Sequence, residues 1–254
     1  MKLSRDTWLI FQRQVLIMCR TPVWILVGIL QPVCYLLLFA PLLRAALVTE
    51  GAQSQADAYR VYVPGLLTAL ALMGGLFTGF SLLGELRAGI IERSRVTPVS
   101  RAALLLGRAL REVVALLVQA LLVTLLALPF GLSVSPAHLV LAFLLLGLIV
   151  LMASSVSYGL ALLIGDDAAL GPVVNTLAQP LALLSGTLLP IALGPRWLRT
   201  AAEWNPLYWA VEGMRALFRG DAGAPAVFNG LLLTSGLAAL AVAWSARLFA
   251  VRIR

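Results

Sequence analysis

Charge is what this 254-residue chain has least of: 12% of its residues are Asp, Glu, Lys or Arg and 61% are hydrophobic, against about 25% charged and roughly 45–50% apolar in an ordinary soluble domain. So few charges cannot coat a soluble body of this size. A mean hydropathy of +0.97 therefore places the surplus apolar surface against lipid. Lysine is scarcer still, Lys2 being the only one among 19 basic residues. A P-loop needs a lysine to reach the β- and γ-phosphates, so a chain whose one lysine is Lys2 is not expected to hydrolyse ATP this way. His138 is the only histidine, which argues against paired-histidine haem ligation, the H-E-x-x-H metalloprotease and most zinc sites. Ser185-Gly186 has Leu183 where an intramembrane serine protease would carry the glycine of G-x-S-G. No catalytic residue, metal or cofactor is expected on this chain. Cys19 and Cys34 have no CxxC spacing and read as packing residues. The net charge of +8 is dispersed between apolar stretches rather than gathered on one face, so nucleic acid is not an expected partner.

What is abundant is long apolar sequence. About 20 apolar residues cross roughly 30 Å of hydrocarbon, and six runs are long enough: 23–43, 61–84, 110–130, 138–164, 171–192 and 226–246. The first follows a basic start but is about twice the length of a signal-peptide core and has no clear A-x-A site after it, so it reads as a retained span. With an even number of spans both termini share a side. Thirteen of the 19 basic residues then lie on the side of the termini and six on the other, and the Lys/Arg excess marks the cytoplasm. The expected architecture is a single all-α transmembrane domain over residues 1–254 in a bacterial plasma membrane, both ends cytoplasmic.

The segments between the spans carry further structure. Over 5–20, Trp8, Phe11, Val15 and Met18 gather on one side and Arg5, Gln12, Arg13 and Arg20 on the other, which predicts a helix lying in the interface and ended at Thr21-Pro22. Gly165 closes one helix and Asp166-Asp167 caps the next in a tight, solvated turn. Pro172, Pro180, Gly186 and Pro190 break the fifth run, and breakers at membrane depth are tolerated where backbone lines protein or a cavity. Asn175 and Gln179, four residues apart, fit an interior position there. Beyond it, Trp197, Trp204, Tyr208 and Trp209 read as interfacial belt residues. Leu207, Val211, Met214 and Phe218 recur at helical spacing, with Glu212, Arg215 and Arg219 on other sides, as in a short amphipathic helix packed on the outer ends of the spans. No Asp, Glu, Lys or Arg lies between Glu112 and Asp166 or between Asp167 and Arg196, so the spans show no obvious relay of the kind an ion-coupled transporter buries.

Between the second and third runs lies Gly84-Glu85-Leu86-Arg87-Ala88-Gly89-Ile90-Ile91-Glu92-Arg93-Ser94-Arg95-Val96-Thr97-Pro98. Glu85, Gly89 and Glu92 fall on one helical face, and Thr97-Pro98 stops the helix. Glu85, Gly89, Glu92, Thr97 and Pro98 match the E-x-x-x-G-x-x-E…T-P pattern of type II ATP-binding-cassette exporters. That class includes daunorubicin-resistance-like, polysaccharide and nodulation-factor export permeases. Gly171-Pro172, Asn175, Ser185-Gly186, Pro190, Trp197-Leu198, Asn205-Pro206-Leu207, Ala210-Val211-Glu212 and Arg215 follow in the same order. The chain resembles the membrane subunits of these exporters from about residue 7 to its end.

The resemblance implies a coupling helix at 85–96 seated in a cleft of a separate ATPase, with Glu85, Arg87, Gly89, Glu92, Arg93, Thr97 and Pro98 as its contact region. It implies an outer re-entrant segment over 187–222, with Gly186, Pro190, Asn205 and Pro206 at an outer gate. Two ATPase subunits carrying ATP and Mg, and a second, identical permease chain, complete the assembly. The pathway would run between the second and fifth spans, past Thr68, Met73, Phe77, Phe80, Asn175, Gln179 and Ser185. A charge-free path favours a hydrophobic or amphiphilic cargo. An ion-gradient transporter or channel, and a non-transporting assembly subunit, are the rival readings.

Overall fold

The computed structural model describes residues 2–20, 28, 30–38, 55–89, 101–188 and 190–252. Among these the architecture is helical throughout, without strands. The helices are α1 (Lys2–Cys19), α2 (Gln55–Arg87), α3 (Arg101–Ala127), α4 (Pro136–Ile164), α5 (Asp167–Ser185), α6 (Arg196–Glu203), α7 (Pro206–Arg219) and α8 (Pro225–Arg252). Five of them, α2 through α5 and α8, are long and apolar enough to cross a membrane. Most of the first expected span lies outside the described residues, of which 28 and 30–38 are helical.

Helix ends follow local chemistry. Ser135 sits extended before Pro136, whose fixed φ suits the first position of α4. Gly165, with φ +69, closes α4, and the Asp166 carboxylate accepts the backbone N–H of Ala169 at 3.2 Å to cap α5. This is the turn the sequence predicts. Helix α3 begins at Arg101, nine residues before the apolar run that starts at 110, because arginine, alanine and leucine are all good helix formers. The fifth run is not broken where expected: α5 passes through Pro172 and Pro180 and stops only at Gly186, with φ +73. Proline is tolerated inside membrane helices when neighbouring groups take up the freed backbone carbonyls. The expected span 171–192 is therefore a helix ending at Ser185, followed by a short 3-10 turn at Ile191–Leu193.

The centre of the bundle is α2 and α8 packed on α4, with α7 inserted among α2, α4, α5 and α8. Small residues permit the close approach of α2 to α4. A Cβ on Gly75 would stand 2.6 Å from that of Ala153. At Gly79 the Ser157 hydroxyl accepts the backbone N–H at 2.9 Å and donates to the Leu76 carbonyl. By contrast α3, α5 and α8 expose apolar faces, among them Val118, Leu121, Val173, Leu177, Phe228 and Leu240.

Helix α1 packs along the first half of α3, with Ile10 over Gly107. Of its expected apolar stripe, Trp8 is 56% exposed, while Phe11, Val15 and Met18 are half-buried; Leu9, Leu16 and Ile17 are also open. Thr7, not an apolar residue, is its buried contact. Cys19 and Cys34, expected to pack, are exposed. Arg87 beside Asp166, Glu85 beside Arg108 and Trp244 on Gly159 place α1, the close of α2, the α4–α5 turn and the end of α8 at one end of the bundle. We call this the terminal end; α6 and α7 stand at the far end.

Candidate functional site

At the terminal end, charges join helices that the sequence alone leaves separate. Glu85, in the last turn of α2, pairs with Arg108 of α3, which is only 7% exposed. Two residues on, Arg87 pairs with Asp166 at 3.2 Å and with Asp167, both at the start of α5. The turn read as solvated is exposed, and its two carboxylates also pair with the close of α2. Arg111 pairs with Glu112 next to it on α3. Helix α2 stops at Arg87, and Gly89 takes φ +65, a left-handed conformation that L side chains rarely adopt. Glu85 and Gly89 thus do not share a continuous helical face: Glu85 belongs to the span and Gly89 to the turn after it. Glu92, Arg93, Thr97 and Pro98 lie outside the described residues.

The far end holds an open cavity of about 380 Å³ at the close of α5. Gln179, Gly186 and Pro190 line it, with Leu183, Leu188 and Leu198 supplying apolar walls. That size falls within the range of small-molecule sites, about 300–1,000 Å³. Asn205 and Pro206 stand behind it. The Asn205 side-chain amide donates to the Leu181 carbonyl of α5 at 3.0 Å, and its oxygen accepts the Leu207 N–H at 3.1 Å, which caps α7 and pins it to α5.

Arg215 was expected on the polar side of α7; instead it is 2% exposed and holds the far end together. Its Nη1 donates to Glu212 at 2.7 Å, its Nη2 to the Gly186 carbonyl at 2.5 Å, and its Nε to the Val61 carbonyl at 3.4 Å. One guanidinium thereby fastens α7 to the end of α5 and the beginning of α2. Burial lowers its pKa, and the Glu212 carboxylate opposes that shift. In the sequence Arg215 shows only as an arginine three residues after a glutamate; that Gly213 through Phe218 around it are all buried is seen only in the fold.

Of the expected pathway residues, Phe77 and Phe80 stack at 5.8 Å between centroids, and Phe80 lies over Gly171 of α5. Phe77, Asn175 and Gln179 are exposed, and Met73 is half-buried. Thr68 and Ser185 do not join them. Both are buried, their hydroxyls donating to carbonyls of their own helices, Pro64 at 2.9 Å and Ala182 at 2.7 Å. A short hydroxyl in an apolar helix finds its nearest acceptor one turn back. Among the described residues no three His, Cys, Asp or Glu side chains gather as a metal site would need.

A helical bundle with five helices of membrane-crossing length, a charged brace at one end and an open, mostly apolar cavity at the other has the architecture of a polytopic membrane protein. The chain belongs to the ABC-2 type transporter family, whose sequence profile matches residues 5–218. It is 27% identical over 216 residues to a protein of Cyanophora paradoxa named as transport permease ycf38, covering 84% of this chain and 74% of that one. It is also 26% identical over 231 residues to the daunorubicin resistance ABC transporter permease protein DrrB1 of Streptomyces coeruleorubidus, covering 90% and 80%. The ycf38 protein of Porphyra purpurea is 26% identical over 209 residues, covering 82% and 72%.

Proposed function

We propose that this chain is the permease half of an ATP-driven exporter, working with a separate pair of ATPase subunits and a second copy of itself. It carries a hydrophobic or amphiphilic compound across a bacterial plasma membrane, with both termini in the cytoplasm. Family membership and the likeness to a drug-resistance permease support this reading. The single lysine favours an ATPase, with its ATP and Mg, on another polypeptide.

The observation that carries the mechanism is the double brace at the close of α2. Arg87 grips the start of α5, and Glu85 grips α3. A push on the segment that begins at Glu85, delivered by closure of the ATPase on residues 85–98, reaches α3 and α5 through ion pairs rather than through loop. Rotation of α5 against α2 then moves its far end, where Gln179, Gly186 and Pro190 border the cavity. The cargo passes Phe77, Phe80, Asn175 and Gln179, which present aromatic faces and amides without charge. Residues 187–222 form the outer re-entrant gate, and the Arg215 node is the fixed point against which it swings.

Liposomes holding the chain with a co-purified P-loop ATPase test this. Vanadate-sensitive export is expected; a stable preparation without such a partner that transports on a proton or sodium gradient would instead establish the ion-coupled reading. The charge swap Arg87→Asp with Asp167→Arg should restore ATP-coupled transport that Arg87→Asp alone loses.

A further inference from the structure

We propose that the first span is hinged at Gly28–Pro32 and that Gln119 of α3 is the releasable clamp on that hinge, a positioning residue for the part of the span that carries Gly28. The span is helical at 28 and over 30–38. Proline has no N–H, so in a helix the carbonyl four residues before it loses its donor. For Pro32 that carbonyl belongs to Gly28. The Gln119 side-chain amide donates to it from 91 residues away. Neighbouring helices take up carbonyls freed by proline at membrane depth, and here the donor is an amide set among the apolar residues Leu116, Leu117, Val118, Ala120 and Leu121 of α3.

The two sides of the hinge are held differently. Pro32 and Leu36 are buried, Leu36 at 1% exposure, and the Tyr62 hydroxyl of α2 donates to the Tyr35 carbonyl at 3.4 Å. Gly28 and Leu30 are exposed, and Gly28 has no side chain to pack; its grip on α3 is the Gln119 amide. Glycine and proline one turn apart weaken a helix at the same place, the first by backbone freedom and the second by the lost bond. A single hydrogen bond contributes little net stability, so the clamp can open while the segment from Pro32 to Leu36 stays seated. Gln119 stands about three turns along α3 from Arg108, whose pairing with Glu85 joins α3 to α2. In the proposed export cycle, on which this last step rests, a push through Glu85 shifts α3 and the clamp with it, so the first span bends in step with the ATPase.

The test uses the full chain in detergent, without ATPase or nucleotide. Melting temperature reads the clamp. Spin labels at Leu30→Cys and Leu125→Cys, both exposed positions, read the hinge as a distance distribution, with Cys19→Ser and Cys34→Ser removing the exposed native thiols. Gln119→Leu, which cannot donate, is expected to lower Tm and broaden the distribution. In a Pro32→Ala background the restored N–H takes the Gly28 carbonyl, so there Gln119→Leu should leave both readouts unchanged; groups that share one hydrogen bond are not additive. Gly28→Ala keeps the clamp and fits beside it, since its Cβ meets Gln119 Nε2 at 3.7 Å, and should narrow the distribution. The proposal is overturned if Gln119→Leu lowers Tm equally in the wild-type and Pro32→Ala backgrounds, as a residue that merely packs would. A distribution no broader in Gln119→Leu, or no narrower in Gly28→Ala, also overturns it. None of these readouts involves transport, so the hinge and the export reading stand or fall separately.

Discussion

The two ends of the bundle each bury an arginine beside a glutamate, and they use it differently. Arg215 at the far end spends Nη1, Nη2 and Nε on Glu212, Gly186 and Val61. Arg108 at the terminal end is buried nearly as deeply yet bonds through Nη2 alone. The first is a closed knot in which a guanidinium acts as a fastener. The second makes one cross-helix pair and leaves its Nε and Nη1 buried without an acceptor. The carboxylates differ too. Glu212 shares a helix with its partner, so that pair passes no motion between helices, while Glu85 and Arg87 reach across to α3 and α5.

The contrast is broken most directly at the arginines. Arg215→Met should cost about 3 kcal/mol in unfolding measurements on the purified chain, because it leaves a partly buried carboxylate and two carbonyls without their donor. Arg108→Met should cost less than half of that, since it also removes two nitrogens whose N–H groups have no acceptor; a larger loss at Arg108 would erase the distinction. Next come the glycines of α2. A Cβ on Gly65 would overlap the Thr187 carbonyl, whereas one on Gly84 meets nothing within 4 Å. Gly65→Ala is therefore expected to destabilise by about 1–3 kcal/mol, and Gly84→Ala to stabilise by roughly 0.5–1 kcal/mol, both read as shifts in denaturation midpoint.

Smaller effects belong to the exposed brace. Asp166→Ala removes the cap of α5 and one partner of Arg87, for about 1 kcal/mol. Arg87→Gln should change stability by less than about 1 kcal/mol, because ion pairs on half-exposed side chains contribute little. It should nonetheless lower ATP-coupled transport. Equal wild-type and Arg87→Gln transport rates would remove the brace from the mechanism while leaving the fold untouched.

How far the sequence could be read follows from what each signal depends on. Helices α2, α3, α4, α5 and α8 were visible because apolar runs of span length are a property of the chain itself. The Gly165–Asp166 turn was visible because caps are local. The Arg215 node and the Arg87 anchor were not, since their partners stand 29 to 154 and 79 to 80 residues away. A local pattern can say that Arg215 is polar; only the packed bundle shows that its polar side faces inward. The prolines of α5 point the other way: read locally they break the run, yet the helix passes through both Pro172 and Pro180.

In the proposed mechanism, force from a separate ATPase enters through the segment after Glu85. Its sharpest test is cargo export by reconstituted permease and P-loop ATPase, comparing wild type with Glu92→Arg and Gly89→Pro in preparations that insert and fold alike. Vanadate-sensitive export is expected of wild type, with loss of both export and ATPase stimulation in the two variants. Full export by both variants, or export driven by a proton gradient with no ATPase present, would contradict it.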